Sequence, residues 1–454
     1  MVDVDSVSLA ITVCAAFLLC ALAVGGGVGG GALYMPVYVG LLDDAHIAVP
    51  LAKITTNGVA WSAFFFNLFA RHPDDSSRPL INYDVALIME PLTLIGTILG
   101  VALNVVLTSG HVLFTLVTVL GFTAYRTIEK GFKQREKELK FIADQAANGE
   151  QPAPAQELTP VASFGGERAA LLDDAVESTA AAEKPIAFPW PKILTMVGLW
   201  LFHCACLTYA GGPFAIGCGN LEQRGAIVMN VLVQTLFTLC WRSHCLRKQA
   251  AKHASEFGDT TSTLLAASSQ GGREGSSTTP AGTSSISTTT SGGRRLLQEN
   301  FHFGTMNTLA YPLLSGVAGV CAGSLGIAGG LIKGPLMVDW GLAAQSATAT
   351  AIFMIMFTSS STILQFIILG RLELKISLLL WFTGFGGGLL GSKIVADVLR
   401  KIDRQSFVTF FLGFIIVASA VCMSSVVLLQ MLGIFPQPRS DAGDLDYCDL
   451  AALH

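Results

Sequence analysis

The ionisable side chains of Lys53, Glu90 and Lys333 lie within apolar stretches of this sequence. On insertion scales, an ionised side chain near the centre of a membrane helix costs roughly 2.5–3.5 kcal/mol, so each of these residues requires an explanation. The two lysines could bind an anion, and the carboxyl group of Glu90, which precedes Pro91, could carry a proton. Alternatively, the lysines extend to the membrane interface, and Glu90 reaches water or Arg78.

Hydroxyl and amide side chains accompany these charges. Thr55, Thr56 and Asn57 follow Lys53 closely, and the segments SATATA and TSSST place further hydroxyl groups in the second half of the chain. Such groups can donate hydrogen bonds to an oxyanion. They serve equally well to satisfy backbone carbonyl groups inside membrane helices, so both interpretations stand.

Two glycine-rich motifs interrupt long apolar stretches. The first, GGGVGGGALYMP, runs from Gly25 to Pro36, and the second, GVAGVCAGSLGIAGGLIKGPLMVDWGL, runs from Gly316 to Leu342. A helix that restarts after a glycine break presents unpaired N–H groups and a partial positive charge, which suits an anion. The alternative is close helix packing across the glycines, which is the preferred interpretation of the shorter patterns LIGTILG and GFGGGLLG.

These residues define a predicted site. No catalytic residue is predicted, and Glu90 is the predicted proton-coupling residue. The predicted substrate-binding residues are Gly25, Gly26, Gly27, Gly29, Gly30, Gly31, Lys53, Thr55, Thr56, Asn57, Gly326, Gly329, Gly330, Lys333, Thr348, Thr350, Ser359 and Ser360.

The two glycine motifs belong to an internal repeat. Placing Gly30 on Gly329 aligns three further pairs without a gap: Pro36 with Pro335, Ala48 with Ala347, and Ser62 with Ser361. Interrupted helices in matching positions of two repeats point to the binding site of a secondary transporter. We therefore expect two homologous four-helix repeats with broken glycine-rich helices, and an inserted helix pair between them.

The composition is typical of a membrane protein. Of the 454 residues, 52% are hydrophobic and only 13% are charged, and the mean hydropathy is +0.57. About 20 apolar residues cross the ~30 Å hydrocarbon core. Stretches that qualify lie at roughly 8–42, 46–70, 84–107, 111–128, 190–210, 224–242, 307–342, 344–370, 374–397 and 405–433. The sequence thus predicts an all-α integral membrane protein of about ten transmembrane helices.

Two hydrophilic segments divide the chain, and the basic residues at their beginnings predict that both are cytoplasmic. The predicted divisions are a first transmembrane repeat at 8–128, a charged and Ala/Pro-rich linker at 129–188, an inserted transmembrane hairpin at 189–242, a disordered Ser/Thr-rich loop at 243–305, a second transmembrane repeat at 306–433 and an acidic tail at 434–454.

The sequence contains no motif of enzymatic chemistry. It has no nucleophile elbow, phosphate-binding loop or HExxH motif, and its ten cysteines form no CxxC pair. We therefore predict no enzymatic activity, no metal, no cofactor and no nucleic-acid partner. His203, which lies well inside an apolar stretch, is interpreted as a packed or hydrogen-bonded residue. Because no ATP-binding motif is present, transport would draw on a gradient.

The quoted motifs also carry a resemblance to a known family. VGGGVGGGALYMPVYVGL, AKITTNGVA, INYDVALIMEPLTLIGTILGVALNVV, LGIAGGLIKGPLM and SATATAIFMIMFTSSSTILQF closely resemble the TauE/SafE sulfite exporter family. The resemblance covers about 8–430 without the low-complexity loops, and the layout is most similar to the plant and protist branch. It implies export of sulfite or an organosulfonate. The chain departs from the family pattern at Glu90, where plant-like members usually have Gln, and in AHIAVPLAK, where a Ser-Ala-Thr segment is expected.

Together these features predict a gradient-driven secondary transporter of small oxyanions. Its predicted partners are a small anionic substrate, protons and membrane lipid. Two other classes stay open, namely a passive anion channel and a non-transporting membrane scaffold that acts through its cytoplasmic loops.

Overall fold

The computed structural model describes residues 6–24, 29–42, 45–72, 78–147, 188–214, 219–270, 304–401 and 405–432. Some predicted features lie outside these described residues. They are Gly25, Gly26 and Gly27 of the first glycine motif, residues 148–187 of the predicted linker, residues 271–303 of the predicted loop, and the tail predicted at 434–454.

Twelve α-helices make up the described part of the chain, where the one β feature is an isolated bridge between Arg71 and Pro79. The helices are α1 (Ser6–Val24), α2 (Gly31–Leu42), α3 (Ala45–Leu68), α4 (Tyr83–Val106), α5 (Ser109–Ala147), α6 (Trp190–Ala210), α7 (Leu221–Gln270), α8 (Asn307–Leu325), α9 (Gly330–Asp339), α10 (Ala344–Ile368), α11 (Leu374–Lys401) and α12 (Gln405–Met431). Seven of them, α4 to α8, α10 and α11, contain segments long and apolar enough to cross a membrane. The protein is an all-helical, multi-pass integral membrane protein, as the sequence predicts.

The first glycine motif separates α1 from α2. The first of these helices ends at Val24, and the second begins at Gly31. Before that restart, Gly29 and Gly30 have φ angles of 68° and 74°, in the left-handed region that residues with a side chain rarely adopt. The path of the chain into α2 therefore depends on glycine.

The second motif separates α8 from α9 in a similar way. Helix α8 ends at Leu325, and Gly326 caps it with a φ angle of 72°. Helix α9 begins at Gly330. The apolar stretches 8–42 and 307–342, each counted from sequence as one interrupted span, are therefore each divided into two helices.

Helices from the two halves of the chain pack against each other. The most extensive interface joins α4 to α8, and α1 packs against α11. Helix α3 packs on α10 and α11, α4 also contacts α10, and α5 lies beside α12. Of the seven apolar helices, α4 and α10 are the most deeply buried. The centre of the molecule is therefore a contact zone to which both halves contribute.

Glycine allows these helices to approach closely. A Cβ atom added to Gly96 of LIGTILG would collide with the carbonyl oxygen of Gly316 on α8. Likewise, a Cβ atom added to Gly391 of GFGGGLLG would collide with the carbonyl oxygen of Ala21 on α1. The interpretation of these two patterns as packing surfaces is confirmed.

Helices α6 and α7 form a pair between the two halves in sequence. They pack against each other, and together they contact α4 and α10. At the start of α6, Lys192 Nζ forms an ion pair with Asp84 Oδ2 on α4 at 2.7 Å. Helices α5 and α7 both continue beyond their apolar segments, which end at Glu129 and Ala251.

We expect Gly319→Ala to destabilise the protein, because an added Cβ would collide with the carbonyl oxygen of Thr93 and push α8 away from α4. Overpacking of a well-packed interior costs typically about 1–3 kcal/mol. The matched control is Gly198→Ala on α6, where an added Cβ meets no atom within 4 Å. Thermal unfolding in detergent, read by size-exclusion chromatography, measures both. Equal melting temperatures for the two variants would contradict this packing role.

Candidate functional site

A buried ion pair lies where α4, α9 and α10 meet. Lys333 Nζ donates hydrogen bonds to Glu90 Oε2 at 2.7 Å and to Thr358 Oγ1 at 3.1 Å. The Thr358 hydroxyl in turn donates to Glu90 Oε1 at 2.6 Å. The side chains of Lys333 and Glu90 have no solvent-exposed surface. An ion pair in such a place is stable only when hydrogen bonds also satisfy its remaining polar atoms, which is the role of Thr358.

The local sequence explains how these groups come together. Lys333 lies in the first turn of α9, directly after the second break, and its backbone N–H donates to the Gly329 carbonyl. Glu90 lies inside α4, with Pro91 as the next residue. The interpretation in which Glu90 reaches Arg78 does not describe this arrangement, because both of its carboxylate oxygens contact α9 and α10.

The second buried lysine, Lys53 of α3, contacts the same break. Its Nζ atom donates to the backbone carbonyl of Ile327 at 2.7 Å, and the residue is 1% exposed. No carboxylate of the described residues lies within ion-pair distance of it. An ammonium group has three donor hydrogens, so two of them have no acceptor in the described part of the chain. Lys53 is thus a buried amino group whose one bond among the described residues is to a carbonyl group.

The two glycine breaks touch each other. A Cβ atom added to Gly31 would lie 2.5 Å from the carbonyl oxygen of Gly326 and 2.8 Å from the amide nitrogen of Ala328. The side chain of Thr56 lies beside Gly29, and its hydroxyl oxygen is buried without a hydrogen-bond partner among the described residues. The structure therefore brings the described parts of both motifs to one place.

The restarted helices also direct their N-termini to this region. The N–H groups of Gly31 and Gly330, the first residues of α2 and α9, donate to no acceptor among the described residues. A helix N-terminus carries a partial positive charge in addition to its free donors. These ends and the Lys53 amino group favour a negatively charged ligand here, whereas Glu90 balances the charge of Lys333.

The corresponding positions of the two halves differ chemically. In the alignment that places Gly30 on Gly329, Tyr34 stands opposite Lys333. The Tyr34 hydroxyl donates to the carbonyl of Gly29 at 2.8 Å and so closes the first break with an uncharged group. Lys53 bonds to the second break and Lys333 directly follows it, so the two halves contribute different chemical groups to the region.

Two predicted residues of α3 form hydrogen bonds that connect this helix to its neighbours. Asn57 links three helices, because its Nδ2 donates to Ser359 Oγ at 2.9 Å and its Oδ1 accepts from Trp381 Nε1 at 3.0 Å. Thr55 shares a hydrogen bond of 2.8 Å with the hydroxyl of Tyr38. These contacts support the site region from the side of α3.

Three predicted hydroxyl residues of α10 do not contact the ion pair. Thr350 accepts a hydrogen bond from the backbone N–H of Asn82, at the beginning of α4. Thr348 is half-buried and has no hydrogen-bond partner among the described residues, and Ser360 donates to the carbonyl of Phe357. None of the three contacts the ion pair.

Sequence analysis did not select Thr358, although this residue bonds to both members of the ion pair. It lies in the TSSST segment, of which Ser359 and Ser360 were selected. Because successive helical residues are turned by about 100°, only one of these neighbours can face Glu90.

No group of three His, Cys, Asp or Glu side chains in the described ranges could hold a metal ion.

The sequence is similar to proteins of a known family. The family model for the sulfite exporter TauE/SafE matches residues 294–439. The chain is 25% identical to Sulfite exporter TauE/SafE family protein 1 of Arabidopsis thaliana over 421 residues, which are 90% of this chain and 81% of that protein. It is 24% identical to family protein 2 of the same plant over 423 residues, 91% of this chain and 82% of that protein. No solved structure matches the chain.

The family model covers about a third of the chain, whereas the similarity to the two Arabidopsis proteins extends over about 90% of it. This integral membrane protein is therefore similar, at modest identity, to proteins named for the sulfite exporter TauE/SafE family.

Proposed function

We propose that the protein is a secondary transporter of small oxyanions, with sulfite or an organosulfonate as the exported substrate. The observation that carries this proposal is Lys53, a buried ammonium group with no carboxylate partner in the described part of the chain. An uncompensated buried charge costs several kcal/mol, and a bound anion would remove most of that cost. The names of the Arabidopsis relatives support sulfite as the first substrate to test.

The donors around Lys53 suit an oxyanion. Lys53 has two unused N–H bonds, and the N-termini of α2 and α9 add backbone N–H groups from Gly31 and Gly330. The unpartnered Thr56 hydroxyl can donate as well. Sulfite and sulfonates carry several oxygen atoms on one sulfur, so they can accept from donors that converge from different sides.

Glu90 gives the site a means of coupling to protons. While its carboxylate is ionised, it neutralises Lys333 across 2.7 Å. When Glu90 takes up a proton, Lys333 becomes a second uncompensated cation beside the same break. Two unit charges 4 Å apart interact with about 4 kcal/mol at an effective dielectric constant of 20, enough to change anion affinity strongly. Anion binding and proton binding would therefore favour each other, and a proton gradient would drive transport.

The packing of the helices supports a two-repeat architecture for this transporter. The pair α4 and α8 has a counterpart in the pair α11 and α1, and the contact of α3 with α11 has a counterpart in that of α10 with α4. The internal repeat matches α1 with α8, α3 with α10, and α4 with α11. Replacing each helix of the first pair by its match gives the second pair. Alternating access in such folds arises from movement of one repeat against the other around a shared site.

The first test removes the charge of Lys53. We expect Lys53→Met, which keeps most of the side-chain volume, to lower sulfite and sulfonate flux in proteoliposomes at least tenfold, because the uncompensated cation is lost. Lys192→Met is the matched control, since Lys192 pairs with Asp84 away from the breaks and is partly exposed. Flux of Lys53→Met equal to that of the control would contradict the assignment.

The second test removes the titration of Glu90. We expect Glu90→Gln to abolish accumulation driven by a pH gradient while anion exchange across the membrane continues, because the amide keeps the shape but cannot release a proton. A sulfonate is the better substrate here, since its charge is constant near neutral pH. Glu222→Gln, an exposed residue at the start of α7, is the control.

The same assay distinguishes the other function classes. A passive channel would let the sulfonate equilibrate with its own gradient but would never accumulate it, in the wild type or in either variant. A scaffold would show no flux at all. Accumulation by Glu90→Gln at the wild-type level would show that Glu90 is not the coupling residue.

A further inference from the structure

A second buried polar cluster lies where α6 and α7 contact α4 and α10. At its centre is His203 of α6, which is fully buried. Its Nε2 shares a hydrogen bond of 2.8 Å with Ser361 Oγ on α10, and its Nδ1 lies 3.0 Å from Nδ2 of Asn230 on α7. With the Asn230 amide donating to Nδ1, the single proton of the neutral imidazole is on Nε2, facing Ser361.

The side chains around His203 are uncharged. The described side chains of the cluster are Asn230 from α7, Ser361 and Gln365 from α10, and Thr97 from α4. One turn after Asn230 on α7, Gln234 bonds to the Leu199 carbonyl of α6. None of these groups titrates, and no ionised side chain of the described ranges contacts His203. The imidazole is thus the one titratable group of this cluster.

The cluster has more acceptors than donors. Asn230 Oδ1, Gln234 Oε1 and Gln365 Oε1 are buried and have no hydrogen-bond partner among the described residues. Buried amide oxygens in proteins are normally paired with a donor. A protonated imidazole supplies an additional N–H donor, and a half-turn of the Asn230 amide would present its Oδ1 to that N–H. The same side chain can therefore satisfy both the neutral and the protonated form of His203.

The cluster is adjacent to the ion pair along two helices. Ser361 follows Thr358 on α10 by one helical turn, about 4.5 Å along the axis. On α4, Thr97 lies two turns after Glu90, on the same face. The hydroxyls of Thr97 and Ser361 are 3.2 Å apart, so α4 and α10 each place a hydroxyl group in the cluster that contains the imidazole.

We propose that His203 is a proton-relay residue that exchanges its proton with Glu90. The transfer breaks an N–H bond of the imidazolium and forms an O–H bond on the Glu90 carboxylate, by way of water that connects the two clusters, and it leaves a neutral imidazole and a neutral carboxyl group. In this arrangement the helix pair α6 and α7 supplies the proton route, while the two glycine breaks supply the anion site. The inference rests on the proposed coupling through Glu90.

The test separates proton coupling from anion binding. His203→Gln keeps a hydrogen-bonding side chain but cannot carry a proton. In proteoliposomes, we expect sulfonate exchange without a pH gradient to stay within about twofold of wild type, and accumulation driven by a pH gradient to fall at least tenfold. His244→Gln, an exposed histidine on α7, is the matched control and should retain both activities.

A second variant supplies a readout that a purely structural role would not change. Asn230→Asp places a carboxylate beside the imidazole and favours its protonated form. We therefore expect the pH profile of gradient-driven accumulation to shift to higher pH, while exchange continues. This variant also tests the relay if His203→Gln fails to fold.

The outcomes are distinguishable. Equal losses of exchange and accumulation in His203→Gln, with an unshifted pH profile in Asn230→Asp, would show that His203 only supports the structure. Wild-type accumulation in His203→Gln would also overturn the relay, and coupling through Glu90 would stand. If wild-type protein exchanged no sulfonate, the proposed transport function itself would be wrong, and the relay with it.

Discussion

The structure depends on one electrostatic constraint, the burial of two lysine ammonium groups beside a break in a membrane helix. Lys333 is neutralised by Glu90 and further bonded by Thr358, whereas Lys53 bonds only to the carbonyl of Ile327 among the described residues. The penalty for burying a charge is large, and the contact of α9 with α4 and α10 offsets it for Lys333 by supplying Glu90 and Thr358. The break itself contributes, because it exposes a carbonyl group for Lys53 and starts α9 where Lys333 can reach α4.

Part of this arrangement could be predicted from the sequence, because it follows from local chemistry. The run of glycines marks where α1 and α8 end, since left-handed backbone angles at Gly29, Gly30 and Gly326 require glycine. The close packing of LIGTILG and GFGGGLLG follows in the same way, as do the membrane-spanning segments. The helix ends and the membrane-spanning segments depend on neighbouring residues, and a glycine-rich face indicates close packing even before the partner helix is known.

The pairing within the site could not be predicted, since it depends on contacts between distant parts of the chain. Lys333 and Glu90 are 243 positions apart, and the sequence left Arg78 as an equal partner for the carboxylate. The orientation of α10 about its axis decides that Thr358 faces the pair while Ser360 bonds to its own helix. The asymmetry has a similar origin. Tyr34 and Lys333 occupy matching positions, but only the packed structure shows that one closes a break with a neutral bond and the other carries a charge.

The contact between the two breaks has a consequence for the timescale of conformational change. At Gly31 and Gly326 the two halves meet backbone to backbone, with no space for even a methyl group. Between Gly31 and Gly326 the contact is made by backbone atoms, which cannot rotate aside as a side chain does in nanoseconds. Opening a path at this point requires whole helices to separate, a collective motion of microseconds to milliseconds. In the transport function proposed above, turnover would then be limited by how fast the two halves move apart.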